Sequence, residues 1–573
     1  MDLKTRGVEP SVAERSAVDT VLGTDTSHRP HDRIGGQSLR ARRHLLLPTL
    51  HAVNDRVGWI SPAAIDHIAE RLDVSPAEIH GVVTFYGLFS TTERPTRQLH
   101  VCVDVVCRSQ GGVREHDLPD GARPSPCLGM CEQAPAAFVT EAGEPASRTA
   151  IGGLSADRVA ELAAGAPVPQ HRRPATATVP QSGDPELVLL RRAGRSDPLD
   201  FDAWVADGGL RALEHARTIG PEAVIDLVDA AGLLGRGGAA FPTARKWHAV
   251  RGQAATPRHL VCNADESEPG TFKDRVLIEN DPFALLESMT VAALAAGCAH
   301  GWIYLRGEYP GVEATLIAAI ERFRTEGIIG TDFDISLRRG AGAYICGEET
   351  AIFNSIEGFR GEPRNKPPYP FEVGLFGAPT VVNNVETLMN VPSIVLGRTS
   401  SNRRLFCLSG AVAAPGVYEV ELGLTLGDLI GLAGGLRAGS ELQAVLLGGA
   451  AGRFVAPDTL DLVLDHDSVR EAGLTLGSGV VMVLDQHVDL VDQIRRIAAF
   501  FRDESCGQCV PCRVGTVRQE EVLERLASGV RQGDVELLAD IGRAMTDASI
   551  CGLGQTAHHA IESAVVTLGV FRR

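Results

Sequence analysis

Apolar positions recur every three to four residues from Leu45 to Phe89, which predicts a run of helices. Within it, Ser61-Pro62 and Ser75-Pro76 each read as an N-cap followed by proline at the first helical position. The period shortens in Leu99-His100-Val101-Cys102-Val103, a strand, and breaks in a loop from Pro124 to Pro135. From residue 196 to about 396, helical patterns alternate with apolar strands such as His259-Leu260-Val261-Cys262 and Gly301-Trp302-Ile303-Tyr304-Leu305. That alternation predicts an α/β layer. Beyond Leu405, short strands separated by glycine turns (Gly410, Gly434-Gly435, Gly448-Gly449) predict a small mixed β unit, and from Asp489 the pattern is helical again. Residues 1–35 are polar and unpatterned and read as a disordered tail; the proline-rich stretch 166–195 reads as a linker. The predicted units are therefore 36–165, 196–400, 401–487 and 488–573, with no internal repeat.

A length of 573 residues agrees with several cores rather than one. The net charge of −17 argues against a general nucleic-acid or anionic-membrane surface. No apolar run approaches the ~20 residues that span a bilayer. Arg42-Arg43 resembles a twin-arginine export signal, but Pro48, His51, Asn54 and Asp55 interrupt the next stretch, so a basic helix start is the better reading. Eight of the twelve cysteines fall in two compact groups, while Cys262, Cys298, Cys346 and Cys407 are scattered and read as small buried side chains. Grouping of that kind indicates metal ligation in a reducing compartment, hence a cytoplasmic location.

In the last unit, Cys506, Cys509 and Cys512 form C-x2-C-x2-C, and Cys551 follows at a distance. Three thiolates from one loop and a remote fourth suit a cubane [4Fe-4S] cluster. Cys102-x4-Cys107 and Cys127-x3-Cys131 are ambiguous by spacing, since paired cysteines also suit structural zinc. Residues 232–243 form a glycine-rich loop entering a helix, where missing Cβ atoms let backbone N–H groups close on a phosphate. It is neither a G-x-G-x-x-G fingerprint nor a P-loop, and taken alone an ordinary turn is the better reading.

Ordered context narrows these readings. Leu47-Pro48-Thr49-Leu50-His51, His80-Gly81-Val82-Val83-Thr84-Phe85-Tyr86 and Cys127-Leu128-Gly129-Met130-Cys131-Glu132-Gln133-Ala134-Pro135 surround the first group. This stretch resembles the small thioredoxin-like [2Fe-2S] subunit of NADH dehydrogenases. The resemblance implies Cys102, Cys107, Cys127 and Cys131 as ligands. Downstream, Cys262-Asn263-Ala264-Asp265-Glu266-Ser267-Glu268, Gly340-Ala341-Gly342-Ala343-Tyr344-Ile345-Cys346-Gly347-Glu348-Glu349, Lys366-Pro367-Pro368-Tyr369 and Asn383-Asn384 stand in order before the last cysteines. Residues from about 200 to 573 resemble the NADH-binding flavoprotein subunit of respiratory complex I.

The resemblance implies a thioredoxin-like [2Fe-2S] domain, a Rossmann-like FMN/NADH domain, a β-grasp (SLBB-like) insert acting as a spacer, and a C-terminal helical bundle with [4Fe-4S]. It implies FMN held at its phosphate by Gly235, Arg236, Gly237 and Gly238 with Lys246 near. Asn263, Asp265, Tyr344, Gly347, Asn383 and Asn384 would surround the flavin. NADH would pass Phe241, Glu268, Glu348, Lys366 and Tyr369, with Glu349 near the nicotinamide. No side chain of its own is needed for hydride transfer, which is flavin chemistry. The chain departs from the family at Leu234, at Ala240 and Ala244 where glycine is usual, and at His248-Ala249 after Trp247.

Fused modules of this kind serve as the β subunit of NAD-dependent molybdenum or tungsten formate dehydrogenases and as the diaphorase of NAD-reducing hydrogenases. Phe500-Phe501-Arg502-Asp503-Glu504-Ser505-Cys506 and Asp547-Ala548-Ser549-Ile550-Cys551-Gly552-Leu553-Gly554-Gln555 look closest to the formate dehydrogenase β chain. The implied partner is a large metal-pterin catalytic subunit with further clusters, in an oligomer of heterodimers. A hydrogenase partner, a complex I input module and a zinc-stabilised scaffold are the alternatives.

Overall fold

A computed structural model describes residues 7–24, 41–169, 175–398, 402–529, 531 and 533–571. The predicted helical run forms Leu46–Val57, Pro62–Leu72 and Pro76–Val83, with Ser61 and Ser75 capping as expected. Before them, Val12–Leu22 is a helix, which corrects the reading of this stretch as disordered. Ser11 and Glu14 close a capping box, and Ala17, Val18 and Leu22 are buried in the main core. The helix is short and its buried apolar residues gather in its second half, which leaves a weak periodic signal; the neighbouring helices supply the stability. The rest of the expected tail, residues 1–6 and 25–35, lies outside the described residues.

Four strands follow in one sheet: β1 (Arg97–Cys102), β2 (Ala122–Ser125), β3 (Ala136–Glu141) and β4 (Ser147–Gly152). Their order is β2-β1-β3-β4, with β1 parallel to β2 and antiparallel to β3. β2, which holds Pro124, is an edge strand, where the missing N–H costs no ladder bond.

The expected linker is also corrected. Residues 170–174 are outside the described set, but Val179, Leu187, Leu189, Leu190 and Ala193 are buried in the main core. The Glu419 carboxylate accepts from the backbone N–H groups of Val188, Leu189 and Leu190 at 2.9–3.0 Å.

The second sheet is parallel: β5 (His259–Ala264), β6 (His300–Leu305), β7 (Asp334–Arg339) and β8 (Thr380–Asn384), in the order β7-β6-β5-β8. The helix Pro282–Ala296 packs here, apolar on all sides and buried, as a helix enclosed by other elements must be. The third sheet is mixed: β9 (Arg403–Gly410), β10 (Gly416–Glu421), β11 (Leu442–Leu447), β12 (Arg453–Val455) and β13 (Val480–Asp485), in the order β10-β9-β13-β11-β12. It encloses a core of its own around Phe406, Leu408, Tyr418, Leu429 and Val483. The helices Leu490–Glu504, Val510–Ser528, Asp534–Ala548 and His559–Val566 complete the chain. Among the described residues no helix is long and apolar enough to cross a membrane.

Candidate functional site

In a parallel sheet, ligand crevices open at the carboxyl ends of the strands. β5 and β8 are neighbours in register, Cys262 opposite Asn383 and Asn263 opposite Asn384, so the three asparagines end at one edge. Asn263 Nδ2 donates to the Gly347 carbonyl at 2.8 Å, and Asn383 Oδ1 accepts from Trp247 Nε1 at 2.9 Å. The Asp265 backbone N–H donates to Asn263 Oδ1 at 3.1 Å. Its own carboxyl is pushed well above the usual range by burial, and Oδ2 is buried with no partner. A buried polar atom left open at the strand ends is what a polar ligand would satisfy.

The glycine-rich loop is closed at its base: Gly235 N–H donates to the Phe241 carbonyl at 2.9 Å and Thr243 N–H to the Leu233 carbonyl at 2.9 Å. A Cβ on Gly237 would lie 3.2 Å from Asn384 Cβ, so the absent side chain lets the loop approach β8. Ala240 sits at φ +50°, a backbone conformation where its methyl is strained. The following helix, Thr243–Arg251, begins with no side-chain cap, its first N–H being held by the Leu233 carbonyl. The residues present therefore fit a phosphate-bearing flavin: a helix start with no side-chain cap, a close-approaching glycine loop and a buried carboxyl oxygen, Asp265 Oδ2, with no hydrogen-bond partner.

Charged groups line one side of the crevice. Glu349 Oε2 is 3.0 Å from Lys246 Nζ and Oε1 is 2.7 Å from Lys366 Nζ, which also reaches Glu348 Oε1 at 3.1 Å. Burial pushes the Glu349 carboxyl up, but the two lysines outweigh it and hold it below the usual carboxylate range. Burial lowers Lys366, and Glu348 and Glu349 together raise it above the usual lysine value. Lys246, expected beside the phosphate, is thus paired with the acid. Glu348 Oε2 caps the helix Glu349–Ile356 through Thr350 and Ala351 N–H.

Phe241 and Tyr369 are 44% and 47% exposed, free to offer ring faces. Tyr369 stacks on Phe371 with centroids 5.7 Å apart, and Lys246 stands 5.7 Å from the Phe241 centroid. Glu268 faces elsewhere. Its carboxylate accepts from Ala451 N–H at 3.0 Å and Ser478 Oγ at 2.8 Å, both on the β-grasp insert. The insert is therefore joined to the crevice wall, which corrects its reading as a spacer.

The first cysteine group converges. Cys127 and Cys131 Sγ are 3.4 Å apart, and Cys102 interacts with both Cys107 and Cys127. Hydrogen bonds from the Cys102 and Cys131 thiols hold Cys127 well below the ordinary thiol value, with Arg306 adding to the effect. All four cysteines are buried. Gly129 sits at φ +63°, where a Cβ would collide with Tyr309 Oη. Two arginines of the flavin-side domain clamp this loop. Arg306 donates to the Cys127 carbonyl at 2.7 Å and Arg275 Nε to the Gly129 carbonyl at 2.9 Å, while Arg275 also pairs with Glu132 at 2.5 Å.

The second group also meets. Cys509 precedes the helix Val510–Ser528, with Cys512 in its first turn, and Cys551 precedes Gly552–Thr556. Burial pushes Cys512 up to about 11 and Cys551 up to about 12; Cys506 and Cys509 act on Cys512, and Cys506 on Cys551. Among the described residues no three His, Cys, Asp or Glu side chains converge on one point as the ligands of a single ion do. In a cubane each thiolate binds a different iron, whereas in a [2Fe-2S] cluster two thiolates share each iron, and each group supplies the four thiolates such a cluster takes.

Sequence reasoning missed the connector between flavin crevice and second group. Tyr344 N–H donates to Glu504 Oε2 at 2.8 Å, and the Tyr344 ring lies 5.1 Å from Phe500. Glu504 directly precedes the cysteine loop, and burial pushes its carboxyl up to about 7. Its position in Asp503-Glu504-Ser505-Cys506 is the only signal the sequence carried.

Family models match in the same order. Residues 34–118 match a thioredoxin-like [2Fe-2S] ferredoxin, 228–393 a Nuo51 FMN-binding domain, 405–450 an SLBB domain, and 492–568 the NADH-ubiquinone oxidoreductase-F iron-sulfur binding region. The first match ends before Cys127 and Cys131, which the fold nevertheless brings to Cys102 and Cys107. The NADH-quinone oxidoreductase F protein of Aquifex aeolicus is 43% identical over 393 residues, 65% of this chain and 91% of that protein. NADP-reducing hydrogenase subunit HndC of Solidesulfovibrio fructosivorans is 38% identical over 399 residues, 66% of this chain and 81% of that protein. A chain of a crystal structure of NAD+-reducing [NiFe]-hydrogenase in the H2-reduced state superposes with a TM-score of 0.76 at 33% identity, covering 93% of each chain.

Proposed function

The chain belongs to the family of NADH-quinone oxidoreductase F proteins, and we propose that it relays electrons between NAD(H) and a separate metal-pterin subunit that oxidises formate. As a member it is an NADH-binding flavoprotein electron-transfer module with FMN, one [2Fe-2S] and one [4Fe-4S] cluster. Bound FMN supplies the conversion between a hydride and single electrons, which clusters carry one at a time.

The residues take these roles in the proposal. Gly235, Arg236, Gly237 and Gly238 hold the flavin phosphate, and Asn263, Asp265, Tyr344, Gly347, Asn383 and Asn384 orient the ring and its chain. Phe241 and Tyr369 offer faces to the dinucleotide. Glu349, fixed between Lys246 and Lys366, accepts from it near the nicotinamide, with Glu348 bordering the path. Cys102, Cys107, Cys127 and Cys131 hold the [2Fe-2S] cluster; Cys506, Cys509, Cys512 and Cys551 hold the [4Fe-4S] cluster.

The observation that carries the relay is the Tyr344–Glu504 contact, which ties a flavin motif to the residue before the cubane loop. The cysteine-flanking stretches 500–506 and 547–555 support formate as the terminal donor. A second reading, the diaphorase of an NAD-reducing hydrogenase, draws support from the full-length likeness to the hydrogenase chain. The test is to isolate the native complex and measure its metals with formate- and H2-dependent NAD+ reduction. Molybdenum or tungsten with formate activity is expected; nickel with H2 activity would replace formate by hydrogen. NADH that bleaches no flavin in the isolated holo-chain would overturn the relay itself.

A further inference from the structure

The β-grasp insert reaches under both flavin motifs through one loop. Gly477 N–H donates to Thr475 Oγ1 at 3.1 Å, and Ser478 Oγ meets both Glu268 at 2.8 Å and Thr271 at 2.9 Å. A Cβ on Gly238 would come within 4.0 Å of the Gly477 backbone, so this insert loop lies against the glycine-rich loop. Beneath it sits Arg404 on β9, 1% exposed, with its guanidinium donating to the Gly477 carbonyl and its Nε buried without a partner. Arg236, also 1% exposed, donates to the Arg403 carbonyl at 3.1 Å and meets His466 Nε2 at 3.5 Å.

Arg236, Arg404 and Lys273 are positive here; Asp274 and Glu386 are negative and both pair with Lys273, Glu266 is buried beside Asp274, and Glu268 meets the same loop through Ser478. No carboxylate lies within ion-pair distance of Arg404 among the described residues. Glu386 acts on it from beyond that distance and Phe406 lies 5.9 Å from its guanidinium, so a ligand anion in direct contact would still stabilise it. Burial lowers Arg404 to about 10, which leaves it charged at neutral pH.

We propose that Arg404, contributed by the β-grasp insert, is a positioning residue that supplies the positive charge for the flavin phosphate and holds the 475–479 loop against the glycine-rich loop. This rests on the reading above that the loop at Gly235–Gly238 holds FMN phosphate. It gives the insert a part in cofactor selection, because riboflavin, which has no phosphate, would gain nothing from Arg404.

The experiment compares FMN and riboflavin binding to the full chain, stripped of flavin anaerobically with its clusters intact, by quenching of flavin fluorescence. Arg404→Gln keeps a donor for the Gly477 carbonyl and removes the charge; Arg404→Lys keeps the charge. We expect Arg404→Gln to weaken FMN about tenfold, a fair value for one partly screened buried charge, with riboflavin affinity unchanged. Arg404→Lys should hold FMN within about threefold of wild type. Equal loss of FMN and riboflavin in Arg404→Gln, or no loss of either, would overturn the proposal. Wild-type protein that binds FMN no tighter than riboflavin would overturn the phosphate assignment beneath it, and wild-type protein that binds neither would overturn the flavin reading as well.

Discussion

Arg306 is the sharpest place to perturb the junction between the [2Fe-2S] loop and the flavin domain. It is 2% exposed and has three acceptors: the Glu266 carbonyl at 2.8 Å, the Cys127 carbonyl at 2.7 Å and Glu308 at 3.2 Å. Arg306→Met keeps most of the stem and removes every donor. Glu308, 3% exposed, is then left as a buried carboxylate without its partner. Removing one member of a buried pair costs about 3–5 kcal/mol. The carboxyl can escape by taking a proton, which at pH 7 costs a glutamate of ordinary pKa about 3.7 kcal/mol and at pH 5.5 about 1.6 kcal/mol. A group whose pKa is raised on folding is penalised more as pH rises, so the variant should be weakest at high pH. The assay is urea denaturation of the holoprotein at both pH values, followed by the [2Fe-2S] absorption. The difference from wild type should shrink by about 2 kcal/mol between pH 7 and pH 5.5. Arg306→Met/Glu308→Gln should recover most of the loss at pH 7. A pH-independent loss, or no rescue by the second change, would refute the charge argument.

Three further outcomes are expected at the site. Glu349→Ala should raise the NADH concentration needed for half-maximal ferricyanide reduction about tenfold or more, as expected for a bond to a charged group, while FMN content stays at wild-type level; flavin loss with unchanged NADH use would contradict its role. Cys551→Ser should abolish the cubane paramagnetic resonance signal yet leave NADH able to bleach the flavin, and a surviving signal would remove Cys551 from the ligand set. Gly129→Ala drives a methyl into Tyr309 Oη and should cost the [2Fe-2S] signal while sparing the cubane; an unchanged signal would mean the loop relaxes at little cost.

The chemistry was legible where it depends on residues close in sequence. C-x2-C-x2-C announces itself by spacing, whereas the asparagines ending β5 and β8 were singled out through the family resemblance. Fold class follows from the change of apolar period along the chain. What stayed hidden depends on contacts across long separations. Glu268 meets Ala451 and Ser478 some two hundred residues on, and Arg306 reaches back to Cys127, yet an acid or arginine that pairs at such range looks like any other charge. The helix Val12–Leu22 and the segment 175–195 were misread for a related reason. Their apolar residues stand in short stretches and take meaning only from the surface they meet. Lys246 was placed by family pattern beside a phosphate, whereas geometry puts its ammonium on Glu349.

The loop at Gly477–Ser478 also constrains the order in which the working protein can be built. Its partners at Gly238, Glu268 and Thr271 are synthesised more than two hundred residues earlier, and the last cubane thiol, Cys551, comes after all of them. A nascent chain that has completed β8 has the glycine-rich loop but not the floor beneath it. On the proposal above, full affinity for FMN waits for the insert to fold, and closure of the cubane set waits for Cys551. The thiols of the first cysteine group are complete by residue 131, so the two clusters become possible at widely separated stages, and a truncation between Cys512 and Cys551 would remove the last cubane thiol alone.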